Sequence, residues 1–306
     1  MLPTQLDLVL KRLIYFGAPK AFVVAILLLT WQSFFDLSQS AEYQVLEYYA
    51  GVGRIARLSA CTGYRAAAFD VVFDKPEVTE AWPGSPTTKA LALAMALQGQ
   101  VNECISFWGI CCSSWIHMNC GTSGRNHLSP MGCESYPSVQ CANMLVSRSM
   151  LLIFLCVCLG GTPVVENPGS SMIWMHERFQ WLLGVLEGMK IRMFKTRFWM
   201  CHFNSPTMKR TILWSPGSAI AALKAFATMR RADFRFDKKT ARKYRTRAGK
   251  VAYQGTEALK GTQVYTPKFA GFVVRMIPHF NDPKRKQKLP VLPNVPLRYY
   301  RFDVGY

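Results

Sequence analysis

Residues 42–216 alternate between short apolar stretches and segments with helical periodicity, and this alternation limits the possible folds more than any other feature. Short apolar stretches bounded by turn residues predict buried strands, and the segments between them predict crossover helices. We therefore expect an α/β fold, with a Rossmann-like sheet carrying helices on both faces. The predicted strands are 44–49, 65–69, 101–107, 163–165, 192–200 and 210–214, and the predicted helices are 54–60, 87–97, 138–159 and 174–189.

The composition supports a large folded core flanked by two further segments. Half of the 306 residues are apolar and 18% are charged, which is typical of a globular protein and excludes a disordered chain. We divide the chain into an N-terminal segment (1–40), an α/β domain (41–228) and a basic C-terminal region (229–306) with a last helix at 265–277.

The positive charge is concentrated at the C-terminal end. The net charge of the chain is +19. Residues 1–227 carry 18 basic and 13 acidic groups, whereas residues 228–306 carry 19 basic and 5 acidic groups. Such a basic extension predicts a polyanionic partner, although a solvated face or a localisation signal has the same composition. The candidate nucleic-acid-binding residues are Arg230, Arg231, Lys238, Lys239, Arg242, Lys243, Arg245 and Arg247. A second cluster at 284–288 is followed by three prolines, which predicts an exposed linker.

The N-terminal segment contains an apolar run at 21–35. Its continuous part is shorter than the roughly 20 residues that a membrane span needs. A buried helix is the preferred interpretation, and a secretory signal or a membrane anchor stays open. Membrane contact through this run is therefore an alternative that we do not favour.

Ten cysteines occur without the paired short intervals of a structural zinc site. Cys112, His117, Cys120 and Cys133 could be combined into a ligand set, but their spacing is irregular, and we expect no metal. Cysteines inside an apolar helix are typical of a reduced, intracellular protein.

The first candidate loop, 47–54, contains Gly51 and Gly53 between a predicted strand and helix. Glycines there let the backbone approach a ligand closely. Asp70 ends the next strand, where a carboxylate can accept both hydroxyls of a ribose. A structural turn with a surface aspartate is the alternative.

The second and third loops carry candidate catalytic groups. Cys112 follows the 101–107 strand, where a helix N-terminus or Arg125 could lower its pKa and make it a nucleophile. Packing beside tryptophans is the alternative for this cysteine. Glu166 leaves an apolar strand and enters a turn, which suggests either a functional acid or a solvated turn carboxylate.

In order and spacing, these motifs resemble the class I methyltransferases, most closely the DNA cytosine-5 methyltransferases. The family's acidic or apolar strand end followed by Phe-Ala-Gly-x-Gly corresponds to 47–53, its ribose carboxylate to Asp70, its nucleophile loop to 109–112 and its Glu-Asn-Val motif to 166–168. A later block, 203–210, is similar to the family's run before a strand. The family's third strand is missing, and its target-recognition region is short.

The resemblance implies S-adenosylmethionine as cofactor, bound by Tyr49, Ala50, Gly51, Gly53 and Asp70. It implies methyl transfer to nucleic acid, at cytosine carbon 5 of DNA, by a monomer that is intracellular, and nuclear if DNA is the substrate. The implied catalytic residues are Cys112 as nucleophile, Glu166 as acid, Asn167 as positioning group and Arg125 as support for the base or a phosphate. Two alternatives stay open: an inactive nucleic-acid-binding protein on a degenerate fold, and an amino-methyltransferase that uses Asn167-Pro168.

Overall fold

The computed structural model describes residues 3–31, 42–70, 86–228, 240–247, 249, 251–256, 259 and 261–300. Its α-helices are α1 Pro3–Tyr15, α2 Lys20–Trp31, α3 Arg54–Cys61, α4 Pro86–Leu97, α5 Cys120–Ser123, α6 Pro137–Cys158, α7 Glu177–Gly188 and α8 Pro267–Phe280. Its β-strands are β1 Val45–Tyr48, β2 Ala66–Phe69, β3 Ile105–Trp108, β4 Thr162–Pro168, β5 Phe194–Trp199, β6 Arg210–Ser215, β7 Ala241–Arg245 and β8 Val251–Gly255.

Six strands form one mixed sheet in the order β2-β1-β3-β4-β6-β5. β2, β1, β3 and β4 run parallel, whereas β6 is antiparallel to both β4 and β5. The prediction of an α/β fold with a central sheet and helices on both faces is confirmed. β2 lies on one side of β1 and β3 lies on the other. The direction in which successive strands are added to the sheet therefore reverses at β1.

Alternating side chains of the strands build a separate core on each face of the sheet. Leu46 and Tyr48 of β1 pack with α1, α2, α4, α6 and α7, which we call the α6 face. Val45 of β1 packs with α3 and α8, together with apolar residues of β3, β4 and β6. We call this second side the α8 face.

The N-terminal helices belong to the core of the α6 face. Leu13 of α1 and Ile26 of α2 are fully buried, α1 packs against α6, and α2 packs against α1 and α4. The Arg12 guanidinium donates to the carbonyl oxygen of Cys158 at the end of α6. The described part of the apolar run at 21–35 is thus a helix with one side buried.

Within the described residues, α6 is the helix that is long and apolar enough to cross a membrane. More than half of its most apolar stretch is buried in the protein, where it contacts β4, α1, α4 and α7. A central core helix of an α/β protein has this same composition.

Two strand predictions need correction. The segment 101–107 was expected to be extended throughout, but β3 begins only at Ile105, because Asn102 adopts a left-handed conformation (φ 65°) in a turn. The short strand at 163–165 extends to Pro168, since Glu166 and Asn167 pair with Leu213 and Ile212 of β6. Glu166 therefore lies within a strand, and the prediction that it enters a turn was wrong.

The predicted helices at 174–189 and 265–277 are shifted. α7 begins at Glu177 because His176 is extended (φ −60°, ψ 132°) and its Nδ1 accepts the Arg178 N–H at 2.9 Å, which caps the helix. α8 begins at Pro267, where the Thr266 hydroxyl caps the first turn.

The C-terminal region contains structure that the sequence did not predict. β7 and β8 form an isolated antiparallel hairpin. The proposed linker at 284–288 is partly docked: Lys286 donates to the Asn102 carbonyl, and the Gln287 side chain bonds the backbone of Arg192 and Pro216. The prediction of an exposed linker is therefore correct for Lys284, Arg285 and Lys288 and wrong for Lys286 and Gln287, which long-range contacts hold.

Candidate functional site

The carboxyl ends of β1, β3 and β4 lie side by side, and most candidate residues lie near or after these ends, whereas Asp70 follows the neighbouring strand β2. The connection after β1 leads to β2, on one side of β1. The chain then crosses over to form β3 on the other side of β1. Open α/β sheets bind ligands at such a point, because the diverging connections leave a crevice there.

The loop after β1 is tightly curled. Tyr49, Gly51 and Gly53 have φ values of 57°, 57° and 66°, the left-handed region that costs a non-glycine residue about 1 kcal/mol. The Gly51 N–H donates to Oδ2 of Asp70 at 2.7 Å, which ties the loop to the end of β2. Nothing lies within 4 Å of where a Gly51 Cβ would stand, so space is open beside this residue.

Glu47 is a fully buried carboxylate on β1, facing α3. Its Oε2 accepts the Ala56 N–H at 2.8 Å, so it caps the first turn of α3 from the neighbouring strand. Burial raises the pKa of Glu47 to about 7, more than the Ala56 and Ile55 N–H groups lower it. Within the described residues, its Oε1 has no hydrogen-bond partner.

Glu166 of β4 is buried between two groups that arrive from distant parts of the chain. Lys209 Nζ lies 3.2 Å from Oε1, and the Tyr265 hydroxyl donates to Oε2 at 3.0 Å. Lys209 directly precedes β6, and Tyr265 lies two residues before α8. Each carboxylate oxygen thus contacts a donor, which offsets much of the cost of burying its charge.

Tyr265 also lies against the start of the cysteine loop. A Cβ added to Gly109 would stand 2.6 Å from the Tyr265 hydroxyl and 3.3 Å from the Tyr49 carbonyl oxygen. Only glycine fits there without displacing Tyr265. The loop after β3 is therefore packed between the β1 loop and the segment before α8.

Cys112 is the partly buried cysteine of this loop, and the neighbouring Cys111 is exposed. Burial raises the pKa of Cys112 to about 11; the Lys209 charge opposes this shift, whereas the Glu166 charge adds to it. The expectation that Arg125 or a helix N-terminus lowers this pKa was wrong, because desolvation dominates.

Asn167 is fully buried and joins two of the candidate loops. Its Nδ2 donates to the Ile110 carbonyl at 2.9 Å and to the Glu166 carbonyl at 3.0 Å. These bonds hold the backbone just before Cys111-Cys112 against the end of β4. Such contacts fit a positioning role, because the buried amide is out of reach of a substrate amine.

Arg125 lies in the interior of the loop between β3 and α6. Its guanidinium donates to Ser114 Oγ, the Pro130 carbonyl and Asn143 Oδ1 at 2.8–3.0 Å and stacks 3.5 Å from the Trp115 ring. These contacts make Arg125 a brace for the loop, and the hydrogen bonds recorded for it do not include Cys112 or Glu166.

Half of the candidate nucleic-acid-binding residues can be placed. Arg242, Lys243, Arg245 and Arg247 lie on or beside the β7–β8 hairpin, whose described side chains are nearly all exposed. Tyr244 and Tyr253 are 46% and 57% exposed on the same hairpin. Arg230, Arg231, Lys238 and Lys239 lie outside the described residues.

Sequence reasoning missed two members of the site. Lys209 stands in the block 203–210 that the resemblance identified, so its position was available although its pairing with Glu166 was not. Tyr265 follows no recognisable motif, because it reaches Glu166 only through the packing of α8 on the sheet.

A shallow cleft elsewhere lies at the opposite, amino-terminal end of β4. It is lined in part by Gly161, Thr162 and Lys286. The Lys286 ammonium is already bonded to the Asn102 carbonyl, and the cleft contains no nucleophile or acid. We therefore assign the candidate site to the carboxyl ends of the strands.

Comparison of this chain with protein-family models, with curated proteins and with solved structures finds no match.

Proposed function

We propose that this protein transfers a methyl group from S-adenosylmethionine to cytosine carbon 5 of DNA, with Cys112 as nucleophile and Glu166 as acid. The observation that carries the proposal is that Asn167, next to Glu166, binds the backbone two residues before Cys112, while Gly109 at the start of the same loop packs against Tyr49 of the β1 loop. The Lys209 and Glu166 charges both act on the Cys112 thiol. Nucleophile, acid and candidate cofactor loop thus lie at the same edge of the sheet.

The residues of the β1 loop fit the cofactor that the resemblance implies. Tyr49, Ala50, Gly51 and Gly53 curl at the strand end, with open space beside Gly51. The carboxylate of Asp70 is held at the same loop by the Gly51 N–H, where it could meet ribose hydroxyls. When bound, S-adenosylmethionine supplies an electrophilic methyl group.

The chemistry of the chain's own residues is addition followed by elimination. Cys112 releases its proton to solvent, and Sγ bonds to carbon 6 of a cytosine turned out of the duplex. Glu166 holds or protonates the ring nitrogen, so the electron pair of the 5,6 double bond becomes available at carbon 5. After carbon 5 is methylated, its proton passes to solvent and Sγ leaves carbon 6 with the bonding electron pair as a thiolate, so the 5,6 double bond returns. A proton donated to the ring nitrogen goes back to Glu166.

Lys209 and Tyr265 complete this proposal. The Lys209 charge favours the Cys112 thiolate and compensates Glu166. The Tyr265 hydroxyl fixes the second Glu166 oxygen, so the carboxyl group is held in one orientation. Asn167 holds the backbone of the cysteine loop against Glu166.

The β7–β8 hairpin is the part of the described chain that best fits a nucleic acid. A two-stranded ribbon fits the major groove of DNA, and its basic residues can contact phosphates. Lys243 and Tyr253 pair across one face, and Arg242 pairs with Gln254 on the other. Binding through such contacts should weaken steeply as salt rises.

The test is tritiated methyl transfer offered side by side to DNA, RNA and protein. We expect label in DNA, its loss in Cys112→Ala, and its retention in Cys61→Ala, which removes an exposed cysteine on α3. Undiminished labelling of DNA by Cys112→Ala would refute the nucleophile assignment. Label only in RNA or protein would refute the acceptor.

An inactive nucleic-acid-binding protein is the second candidate, and the raised pKa of Cys112 favours it, because a protonated thiol is a poor nucleophile. DNA binding that falls with salt, without methyl transfer to any acceptor, would support it. Lys243→Gln should then lower the salt dependence by about one counterion, whereas Arg275→Gln, an exposed change on α8, should not.

A further inference from the structure

The outer side of α2 is an apolar surface that the described chain leaves uncovered. Val23, Ile26 and Leu29 face the core. On the other side, Val24, Leu27 and Leu28 are 40–50% exposed, and Trp31 is 84% exposed. We call these four exposed residues the α2 face.

Three of the four residues of the α2 face are aliphatic, and the fourth, Trp31, has only its indole N–H as a polar group. The only hydroxyl of the helix, on Thr30, donates to the Ile26 and Leu27 carbonyls and is thereby used within the helix. A contiguous exposed apolar surface of this kind marks a contact with a partner protein or a membrane.

The described length of α2 is too short for a membrane span. At 1.5 Å per residue its 12 residues extend about 18 Å, well short of the ~30 Å hydrocarbon core. Its inner side is also buried against α1 and α4. The helix can lie at a membrane surface with its outer side in the lipid, as interfacial helices do.

Aromatic and basic side chains are also exposed at the end of α1, the helix before α2, and on the segment that packs against α1. Tyr15 at the end of α1 is 54% exposed, and its ring lies 6.2 Å from Tyr300. The turn Leu297–Tyr299 packs against α1, with Tyr299 61% exposed and Arg298 beside it. Tyrosine and tryptophan are enriched at the level of lipid headgroups, where one end of the ring is apolar and the other wet.

The charges favour an anionic lipid surface over a second copy of the chain. Of the three basic groups in residues 3–31, Lys11 is paired with Asp7 at 2.7 Å and Arg12 donates to the Cys158 carbonyl. Lys20 is exposed at the start of α2. Two copies, each with a net charge of +19, repel one another, whereas anionic headgroups attract the same charge.

We propose that the α2 face docks onto an anionic phospholipid membrane, with Leu27, Leu28 and Trp31 inserted and Lys20 at the headgroups. This docking is independent of methyl transfer, and each can fail without the other. It would hold the protein at a membrane surface without a spanning helix.

The test is co-sedimentation of the full chain with vesicles of phosphatidylcholine, with and without phosphatidylserine. We expect binding to the mixed vesicles and weaker binding to phosphatidylcholine alone. Leu28→Glu should weaken binding at least tenfold, because it removes about 1.5–3 kcal/mol of leucine burial. Leu128→Glu, an equally apolar and 98% exposed position in the loop before α6, is the matched control and should bind as the wild type does.

The basic hairpin could also attract anionic vesicles, so the measurement is repeated at about 1 M salt, where the screening length falls to about 3 Å. Residual binding that Leu28→Glu removes supports the proposal. Binding that is lost in Lys243→Gln but unaffected by Leu28→Glu would overturn it, as would no binding by the wild type. Sedimentation analysis provides a further test. A wild-type dimer that becomes monomeric in Leu28→Glu would also overturn the proposal, since the α2 face would then bind a second copy of the chain.

Discussion

Glu47 and Glu166 are two buried carboxylates on the same face of the sheet, on strands separated only by β3. Glu47 is held by backbone N–H groups at the start of α3, and burial raises its pKa to about 7. Glu166 is instead paired with Lys209 and bonded by Tyr265. A local helix end thus stabilises one carboxyl group, whereas the other depends on partners from distant segments.

The difference separates a structural acid from a candidate catalytic one. Glu47 is surrounded by its own strand and the next helix, so no substrate can reach it. The Glu166 charge acts on the Cys112 thiol, and the partners of Glu166 come from the segments just before β6 and α8. Matched substitutions of Glu47 and Glu166 can test whether methyl transfer depends on the environment of Glu166.

The largest effect is expected for Glu166→Gln. If Glu166 acts as the acid, kcat for methyl transfer to DNA should fall by roughly 10²–10⁴-fold, because the side chain can no longer deliver a proton. Initial rates of tritium transfer measure this change. Glu187→Gln, an exposed change on α7, is the control and should retain wild-type kcat. A Glu166→Gln enzyme with normal kcat would contradict the assignment.

The next largest effect concerns the thiol beside Glu166. With a pKa of about 11, Cys112 should react with iodoacetamide at pH 8 at least ~10²-fold more slowly than in the urea-unfolded chain, where an ordinary thiol has a pKa near 8.5. Lys209→Met should slow the folded reaction further. Mass spectrometry of the labelled peptide provides the rates. If the reaction rate of the folded protein stopped rising near pH 8.5, burial would not raise the pKa of Cys112.

Glu47 should make the stability of the protein depend on pH. Because its folded pKa is raised from 4.5 to about 7, the folded state holds this proton more tightly than the unfolded state does. Its contribution is therefore complete below about pH 4.5 and is lost as pH rises through 7. The loss amounts to at most about 3 kcal/mol of unfolding free energy.

Urea unfolding at pH 5 and pH 8 tests this dependence. In Glu47→Gln the fall in unfolding free energy between the two values should be smaller than in the wild type. Glu187→Gln should show the same fall in unfolding free energy as the wild type. An equal fall in the wild type and Glu47→Gln would show that the Glu47 carboxyl group does not hold its proton at neutral pH.

The smallest effect tests the contact that closes the Glu166 environment. Gly109→Ala should destabilise the protein by about 1–3 kcal/mol, because the added Cβ meets the Tyr265 hydroxyl at 2.6 Å. Tyr265→Phe should cost about 1–3 kcal/mol through the lost hydrogen bond to Glu166. The double variant should lose less than the sum, since the clashing oxygen is gone. Strictly additive unfolding free energies would show that the two residues do not touch.

The fold was largely predictable because its signals are local. Apolar runs such as 44–49 and the helix at 138–159 are visible in any short window, and the structure places β1 and α6 there within one or two residues. The end of β4 was not predictable, since Glu166 and Asn167 become strand residues only by pairing with β6. The β7–β8 hairpin was missed because basic residues obscure the alternation of a strand.

The candidate site was predictable only in part. Gly51, Asp70 and Cys112 follow strands that the sequence itself indicates, and Glu166 follows the apolar stretch predicted at 163–165. Parallel strands bring such positions together. Their environments were not predictable. Cys112 has a raised pKa and Arg125 is a brace, because burial and hydrogen bonding depend on residues far along the chain.

The sequence alone therefore determined the α/β class, the strand ends that carry polar groups and the excess of positive charge, since each depends on composition or on neighbours a few residues apart. The tertiary structure decided which carboxylate meets a cation, how strongly the thiol holds its proton, and which side of α2 stays uncovered. These properties depend on desolvation and on contacts such as Lys209–Glu166 and Tyr265–Glu166. Only the folded chain brings those groups together, so no local pattern could reveal them.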